Sequence, residues 1–340
     1  MKEISSNQLP EFLKNSGNAL NTLWFVTGDE PLLALEAEDQ IRTAARKAGY
    51  SDRRTFAFDG TSDYTPLIDA LADMSLFGEK QLIEVRLLKG NPGTRTGPKA
   101  VDFAVQKAGP NNLVIFSSPP LDGKQKKAEW FRKINSKAII VNANVVPRSQ
   151  LPAWIKTRMK TQGQIPDEEA VNFIANRTEG NLFACEQEIR KLALLAPQGP
   201  LKLEQVKDAV SDVSRFDPDD LSLAILEVDA SRITKIIDGL QSESVAIPSF
   251  LWILIEDIRA AIKLQSTGGR PPRFLSGFTN ASFPKQKALQ NAARRIPFSR
   301  LEMVLLRYAD VDKLSKGIKI PTRNEDPWIE LKTAALLLAK

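Results

Sequence analysis

The chain has 340 residues, 42% of them apolar and 26% charged, with a formal net charge of +6. This length and apolar content suffice for two or three domains with cores of their own. Histidine is absent from the sequence, which excludes Ser-His-Asp, Cys-His and His-metal chemistry within this chain. Cys185 is the single cysteine, so an internal disulfide and a cysteine-rich zinc site are excluded as well.

The sequence favours a cytoplasmic protein without a membrane segment. Cys185 lies within a helical apolar pattern, so we expect a small buried residue, and a single thiol suits a reducing compartment. Residues 1–6 lack the apolar region of a signal peptide. The most apolar run, residues 250–255, is followed at once by charged residues and is too short to span a bilayer.

In residues 1–143, short apolar runs alternate with longer segments in which apolar residues recur at the spacing of an α-helix. The runs predicted to be strands are residues 23–28, 56–58, 81–88, 113–116 and 138–141. Helices are predicted at 31–48 and 65–72, with another around residues 130–131. Strands separated by helices in this way predict a parallel sheet covered by helices on both faces.

The turn after the first predicted strand is where a nucleotide-binding domain carries its phosphate loop. It reads Gly28-Asp29-Glu30-Pro31, without the further glycines, the Lys and the Ser or Thr of a Walker A loop. Asp29 and Glu30 repel a phosphate, and the sequence favours a helix-capping role for them. Residues 90–99 contain glycines and a Lys at the wrong spacing, which predicts a mobile surface loop. Glu84 lies within strand 81–88 rather than at its end, where a metal ligand is needed.

Between the predicted helix 65–72 and the strand 81–88 the sequence reads Met74-Ser75-Leu76-Phe77-Gly78. A glycine at a helix end allows the chain to turn. A Leu-Phe pair at such a turn is either part of the core or an apolar plug that projects towards a pocket on another protein. The residues alone leave both interpretations open.

From about residue 144 the pattern is helical throughout. Residues 144–213 contain three longer helical patterns and a short closing one, and a polar stretch at 211–218 marks a domain boundary. The remainder predicts six helices, at 219–229, 231–241, 248–265, 284–296, 298–316 and 326–339. Residues 268–273 form a basic loop rich in Gly and Pro.

Three blocks of sequence stand out, in order along the chain. The first block is TGDEPLL at residues 27–33, and the second is MSLF at residues 74–77. The third combines EGNL at 179–182, EIRKL at 188–192 and VSD at 210–212. Together these blocks resemble the delta-subunit family of the bacterial DNA polymerase III clamp loader. The sequence departs from active ATPases of this class at Phe183 and Ala184, where their lids place an arginine that reaches the nucleotide.

The resemblance implies an α/β AAA+-like domain with a RecA-like parallel sheet at 1–143, a small helical lid at 144–213 and an all-α collar at 214–340. It implies that Leu76 and Phe77, supported by Met74 and Ser75, insert into the hydrophobic pocket of the beta sliding clamp. The subunit then opens the ring for the ATP-driven loader, whose gamma/tau and delta-prime subunits it meets through the collar. The resemblance implies neither cofactor nor metal, and no catalysis by this chain.

Basic residues of the predicted collar are candidates for contacting primer-template DNA in the assembled loader. They are Lys285, Lys287, Arg294, Arg295, Lys316 and Lys319. Phosphate contacts of this kind make affinity fall steeply with salt. The alternative for these residues is an ordinary solvated helix face.

Two other functions compete with the clamp-loader interpretation. An active nucleotide hydrolase with an atypical phosphate loop requires a Lys near a glycine turn and an acidic metal ligand at a strand end, and neither is in register. A delta-prime type subunit typically has cysteine zinc ligands and a Ser-Arg-Cys arginine finger, which a chain with one cysteine cannot supply.

Overall fold

The computed structural model describes residues 2–15, 20–73, 80–196, 198–207, 209–210, 216–279 and 281–339. The chain divides into two compact units, residues 1–151 and 152–340. The division into three domains with boundaries at 143 and 213 stays a prediction.

A six-stranded parallel sheet organises the first unit. Its strands are β1 (Lys2–Ser5), β2 (Leu23–Thr27), β3 (Tyr50–Phe58), β4 (Lys80–Leu87), β5 (Asn112–Ser118) and β6 (Ile139–Asn142), in the spatial order β1-β6-β2-β5-β4-β3. Its helices are α1 (Leu9–Asn15), α2 (Pro31–Lys47), α3 (Thr65–Ala72), α4 (Gly97–Lys107), α5 (Gly123–Lys127) and α6 (Glu129–Lys137).

Both faces of this sheet are buried. Along β2, Phe25 contributes to a core shared with α3, α4 and α6, whereas the neighbouring Trp24 contributes to a second core shared with α1 and α2. Successive side chains of a strand point to opposite faces, which is why β2 is a continuous apolar run buried at every position. The predicted parallel sheet with helices on both faces is confirmed.

The second unit is mostly helical. Its elements are α7 (Leu151–Thr161), β7 (Gln164–Pro166), α8 (Glu168–Thr178), α9 (Leu182–Leu195), β8 (Gly199–Leu201), α10 (Leu203–Lys207), α11 (Pro218–Glu227), α12 (Ala230–Ser242), α13 (Ile247–Ser266), α14 (Phe283–Arg295), α15 (Phe298–Ser315) and α16 (Pro327–Leu336). Large apolar side chains such as Phe250, Leu289 and Tyr308 form one core within residues 216–338. Arg232 on α12 forms an ion pair of 2.7 Å with Glu179, in the turn before α9.

Three expectations from the sequence were wrong in part. Strand β1 and helix α1 had not been expected, and residues 164–166 and 199–201 pair as short parallel strands within a segment predicted to be helical throughout. The predicted mobile loop 90–99 includes the first turn of α4, which starts at Gly97 and is closely packed: a Cβ at that position would lie 1.8 Å from the carbonyl oxygen of Pro92. Cys185 is fully buried, as expected.

Candidate functional site

The turn that follows β2 is tied to the chain leaving β6. The amide of Glu30 donates to the carbonyl of Ala143 at 3.0 Å, and the amide of Val145 donates to the carboxylate of Asp29 at 2.8 Å. A Cβ at Gly28 would lie 1.9 Å from the oxygen of Ala143, so the two backbones meet with room only for glycine. A backbone segment thus packs closely against the turn where a phosphate loop would be expected.

The first amides of α2 are also engaged. Glu30 is the N-cap residue, and its carboxylate accepts from the amide of Leu32 at 3.3 Å, while Pro31 has no N–H to donate. Burial raises the pKa of Glu30, partly offset by the hydrogen bond from Leu32. The capping role predicted for Glu30 is confirmed, whereas Asp29 accepts from Val145 instead of from the helix. The anion-binding capacity of a helix start is therefore met by the protein's own carboxylate.

Glu84, the acidic residue of β4, is buried within an ion-pair network. Arg42 on α2 contacts one carboxylate oxygen at 2.7 Å, and Arg53 on β3 contacts the other at 2.8 Å. Within the described part of the chain, no group of three or more acidic or thiol side chains is arranged to hold a metal ion. The carboxylate of Glu84 is committed to two guanidinium groups.

The predicted clamp-binding residues Met74, Ser75, Leu76 and Phe77 lie outside the described residues. Both flanks of this segment are described and anchored. On one side, Asp73 at the end of α3 pairs with Arg54 of β3 at 3.4 Å. On the other side, Lys80 at the start of β4 donates to the carbonyl of Ala48, the C-cap of α2, at 3.0 Å.

The described flank at Lys80 and the turn at Gly28 occupy different parts of the sheet. Lys80 begins β4 at its amino end, whereas Gly28 follows the carboxyl end of β2. Since these strands are parallel, the two residues lie at opposite edges of the sheet. Beside the end of α3 lies an open groove of about 670 Å³, lined among others by Arg54, Phe56 and Ala70. Nucleotide sites of such sheets lie at the carboxyl edge, whereas Lys80 lies at the amino edge.

The six basic residues proposed to contact DNA occur in different settings. Lys285 is mostly buried and pairs with Asp219 and Asp257, each at 3.0 Å. Three others have contacts of their own: Arg295 donates to the carbonyl of Leu226, Lys316 pairs with Asp312, and Lys319 pairs with Glu325. Lys287 and Arg294 lie exposed on α14. A DNA contact by Lys285 would have to compete with its buried carboxylate partner.

Two features of these sites were not anticipated from the sequence. Ala143 and Val145 are more than 110 residues from the turn that they contact, with Val145 and Asp29 separated by 116 positions. Likewise, the sequence shows Lys80 only as a polar residue at the start of a strand, whereas its hydrogen-bond partner is the main-chain carbonyl of Ala48. The contacts at the Gly28 turn and at Lys80 could not be predicted from the spacing of residue types, because any residue type can provide a main-chain partner.

Comparison with known proteins shows what this chain is similar to. The model of the family described as "DNA polymerase III, delta subunit" matches residues 24–144. The DNA polymerase III subunit delta of Escherichia coli (strain K12) is 26% identical over 341 residues, covering 97% of this chain and 95% of that protein. The chain is similar to the DNA polymerase III delta-subunit family over nearly its whole length. The resemblance found in the three sequence blocks is thereby confirmed.

Two further relatives of the delta-subunit family agree. The subunit delta of Haemophilus influenzae is 26% identical over 348 residues, covering 97% of each chain. The solved DNA clamp loader delta protein of Bacillus subtilis covers 98% of this chain and is itself covered completely, with a TM-score of 0.55 and 17% identity. At that identity the structural match shows the fold, which extends over the whole chain. No described helix combines the length and the apolar character needed to cross a membrane.

Proposed function

We propose that this chain binds the beta sliding clamp through Leu76 and Phe77, with Met74 and Ser75 shaping the loop, and that binding helps to open the ring. The observation that supports the proposal concerns the described residues on either side of this segment. Asp73 and Lys80 are both anchored by contacts of their own, and Lys80 begins β4 at the sheet edge opposite the turn at Gly28. That edge is separate from the carboxyl edge, where such sheets bind nucleotides.

The two apolar side chains are sufficient for a binding hot spot. Full burial of a Leu and a Phe contributes about 1.5–3 kcal/mol each, so about 3–6 kcal/mol before ordering costs are subtracted. Held at both ends, the loop loses less conformational freedom on binding than an untethered segment would. Hot-spot residues lie in well-packed pockets that exclude water, which is the setting proposed here for the two side chains.

Ring opening requires more than binding. A ligand shifts an equilibrium only by its differential affinity for the two states, so the subunit must bind the clamp better when its ring interface is broken. We assign the anchoring to the Leu-Phe pair and the discrimination to the end of α3 and the adjoining surface of the sheet domain, which would press against the clamp interface.

The remaining parts of the proposal concern nucleotides and partners. The contacts at Gly28, Asp29 and Glu30 support a chain that does not bind ATP and depends on other subunits for ATP hydrolysis. Residues 214–340 would contact the gamma/tau and delta-prime subunits, and the assembled loader would hold primer-template DNA. The cytoplasmic location also stays a prediction.

The alternative, an active hydrolase with an atypical phosphate loop, predicts that the isolated chain binds ATP in equilibrium dialysis.

The test of clamp binding is a pulldown of purified beta clamp by the full chain and by Leu76→Ser/Phe77→Ser. The variant should lose affinity by about 100-fold or more, since about 3 kcal/mol or more of apolar burial is removed. Leu88→Ser is the matched control, because Leu88 is an exposed leucine, 58% accessible, just beyond the other end of β4. Undiminished clamp binding by the double variant would remove the Leu-Phe pair from the mechanism.

A further inference from the structure

A groove of about 480 Å³ lies in the second unit, between the start of α11, the middle of α13 and the segment that connects α13 to α14. Trp252 of α13 and Phe274 of the connecting segment line this groove while remaining 61% and 71% exposed, so they form its rim. Large aromatic side chains exposed together beside a cavity are typical of surfaces that a partner covers.

The fold orients Trp252 and positions the segment that carries Phe274. The indole Nε1 of Trp252 donates to the carbonyl of Ser249 at 3.0 Å. The connecting segment lies close against α13 at Gly277, where a Cβ would meet the carbonyl oxygen of Glu256 at 3.0 Å and where φ is +75°. Because Trp252 is oriented before any ligand arrives, covering it costs little side-chain entropy.

The lining of the groove is acidic, although the chain as a whole has a net charge of +6. Its charged residues are five carboxylates and one ammonium group: Asp217, Asp219, Asp220, Glu256 and Asp257 with Lys285.

Asp257 is 2% exposed. One of its carboxylate oxygens accepts from the hydroxyl of Ser222 and from Lys285 at 3.0 Å. The other oxygen, Oδ1, has no hydrogen-bond partner among the described residues. A buried acceptor without a donor is costly. Since carboxylates outnumber the single ammonium group in the lining, the groove is suited to a ligand that brings positive charge.

The charged and aromatic residues that line the groove argue against several classes of ligand. Phosphates of a nucleic acid would be repelled by the carboxylates. No described set of acidic side chains here is arranged for a metal ion. A small cation inside the groove would leave the Trp252 and Phe274 rings in water.

We propose that this groove binds a segment of a partner polypeptide in which an arginine or lysine is flanked by apolar side chains. The cation lies over the carboxylates and the apolar neighbours cover Trp252 and Phe274. Cations also interact favourably with aromatic faces, and complementary charge fixes the register of the segment. This surface shares no residue with the segment 74–77, so the proposal is independent of clamp binding. It lies within residues 214–340 and rests on the partner contacts proposed above for that part of the chain.

The test uses the full chain and a fluorescein-labelled peptide of repeated Leu-Leu-Arg units, followed by fluorescence anisotropy. Wild-type protein should bind the peptide saturably, and Trp252→Ala/Phe274→Ala should bind it at least about tenfold more weakly. Glu256→Gln should weaken binding and reduce its dependence on salt, since one carboxylate of the groove is neutralised. The same peptide with Glu in place of Arg should not bind.

Phe283→Ala is the matched control, because Phe283 is an exposed aromatic of α14, 79% accessible, that does not line the groove. Unchanged circular dichroism and thermal midpoints establish that each variant is folded, and clamp pulldown by Trp252→Ala/Phe274→Ala should match wild type. The proposal is overturned if wild type fails to bind the peptide, if the Glu peptide binds equally well, or if the double variant binds as wild type does. Self-association of the chain that is lost in the double variant would also overturn it, by showing that a second copy occupies the groove.

Discussion

Glu84 illustrates how a single charge is used structurally within the sheet. Burial raises the pKa of its carboxyl group, but the hydrogen bonds and charges of Arg53 and Arg42 outweigh this effect and hold the pKa below the ordinary value of 4.5. Because the pKa is lower in the folded chain than in the unfolded chain, ionised Glu84 stabilises the fold above about pH 4.5. That stabilisation is lost as the pH falls through the folded pKa.

Glu84→Gln should therefore reduce the free energy of unfolding at pH 7 by about 3 kcal/mol, because Arg42 and Arg53 lose their shared buried partner. The loss should shrink as the pH falls below about 4.5, and urea unfolding at pH 7 and pH 3.5 measures both values. The control is Glu325→Gln, whose partner Lys319 is 77% exposed, and which should cost less than about 0.5 kcal/mol. Equal costs for the two variants would show that the buried network contributes no more than a surface pair.

Cys185 provides a probe of folding rather than of chemistry. It is fully buried, and burial raises the pKa of its thiol to about 12. At pH 8 the native protein should react with dithionitrobenzoate about 1000-fold more slowly than a free cysteine, because so little thiolate is present. Addition of guanidinium chloride should release the full reactivity of one thiol per chain. Rapid reaction of the native protein would show that α9 opens locally or that the thiol is accessible.

The turn between β2 and α2 is an element where the addition of one methyl group should be costly. In Gly28→Ala the new Cβ would lie 1.9 Å from the oxygen of Ala143, so the chain after β6 must move and its hydrogen bond to Glu30 is strained. We expect a loss of at least about 2 kcal/mol of unfolding free energy, measured by urea denaturation.

Gly123→Ala is the matched control for Gly28→Ala. Nothing lies within 4 Å of a Cβ at Gly123, the first residue of α5, so the substitution should be neutral or slightly stabilising. If Gly28→Ala were as stable as wild type, the close contact between the turn and Ala143 would not exist in solution.

Elements whose apolar residues recur at regular spacing could be predicted from the sequence. Elements and contacts that depend on residues distant in the sequence could not. Helix α3 begins and ends at the predicted residues 65 and 72 because its apolar spacing is regular and Pro66 suits a first turn. The strands β7 and β8 have three residues each, too few to show a period of two. From the sequence, Lys285 belongs to a solvent-exposed basic helix face, yet in the structure it pairs with the buried Asp257 of another helix. This ion pair depends on the packing of α13 against α14, which the sequence pattern does not show.

At the scale of the whole molecule, the two units have cores made of their own residues. The first unit contains the whole six-stranded sheet and the two apolar layers that pack on it, and residues 216–338 supply a separate core. A domain with its own core can fold by itself. Fragments 1–146 and 147–340, divided between β6 and α7, should therefore each fold.

The measurement is thermal unfolding of the two fragments and the full chain, followed by circular dichroism. Each fragment should unfold cooperatively, and the sum of the two native spectra should reproduce that of the full chain. Phe250→Ala, which opens a cavity at a residue 1% exposed, should destabilise fragment 147–340 by about 3–5 kcal/mol. Trp130→Ala should act in the same way on fragment 1–146 alone. If either fragment were unfolded in isolation, the division near residue 143 would not be a domain boundary, because that part of the chain would need the other in order to fold.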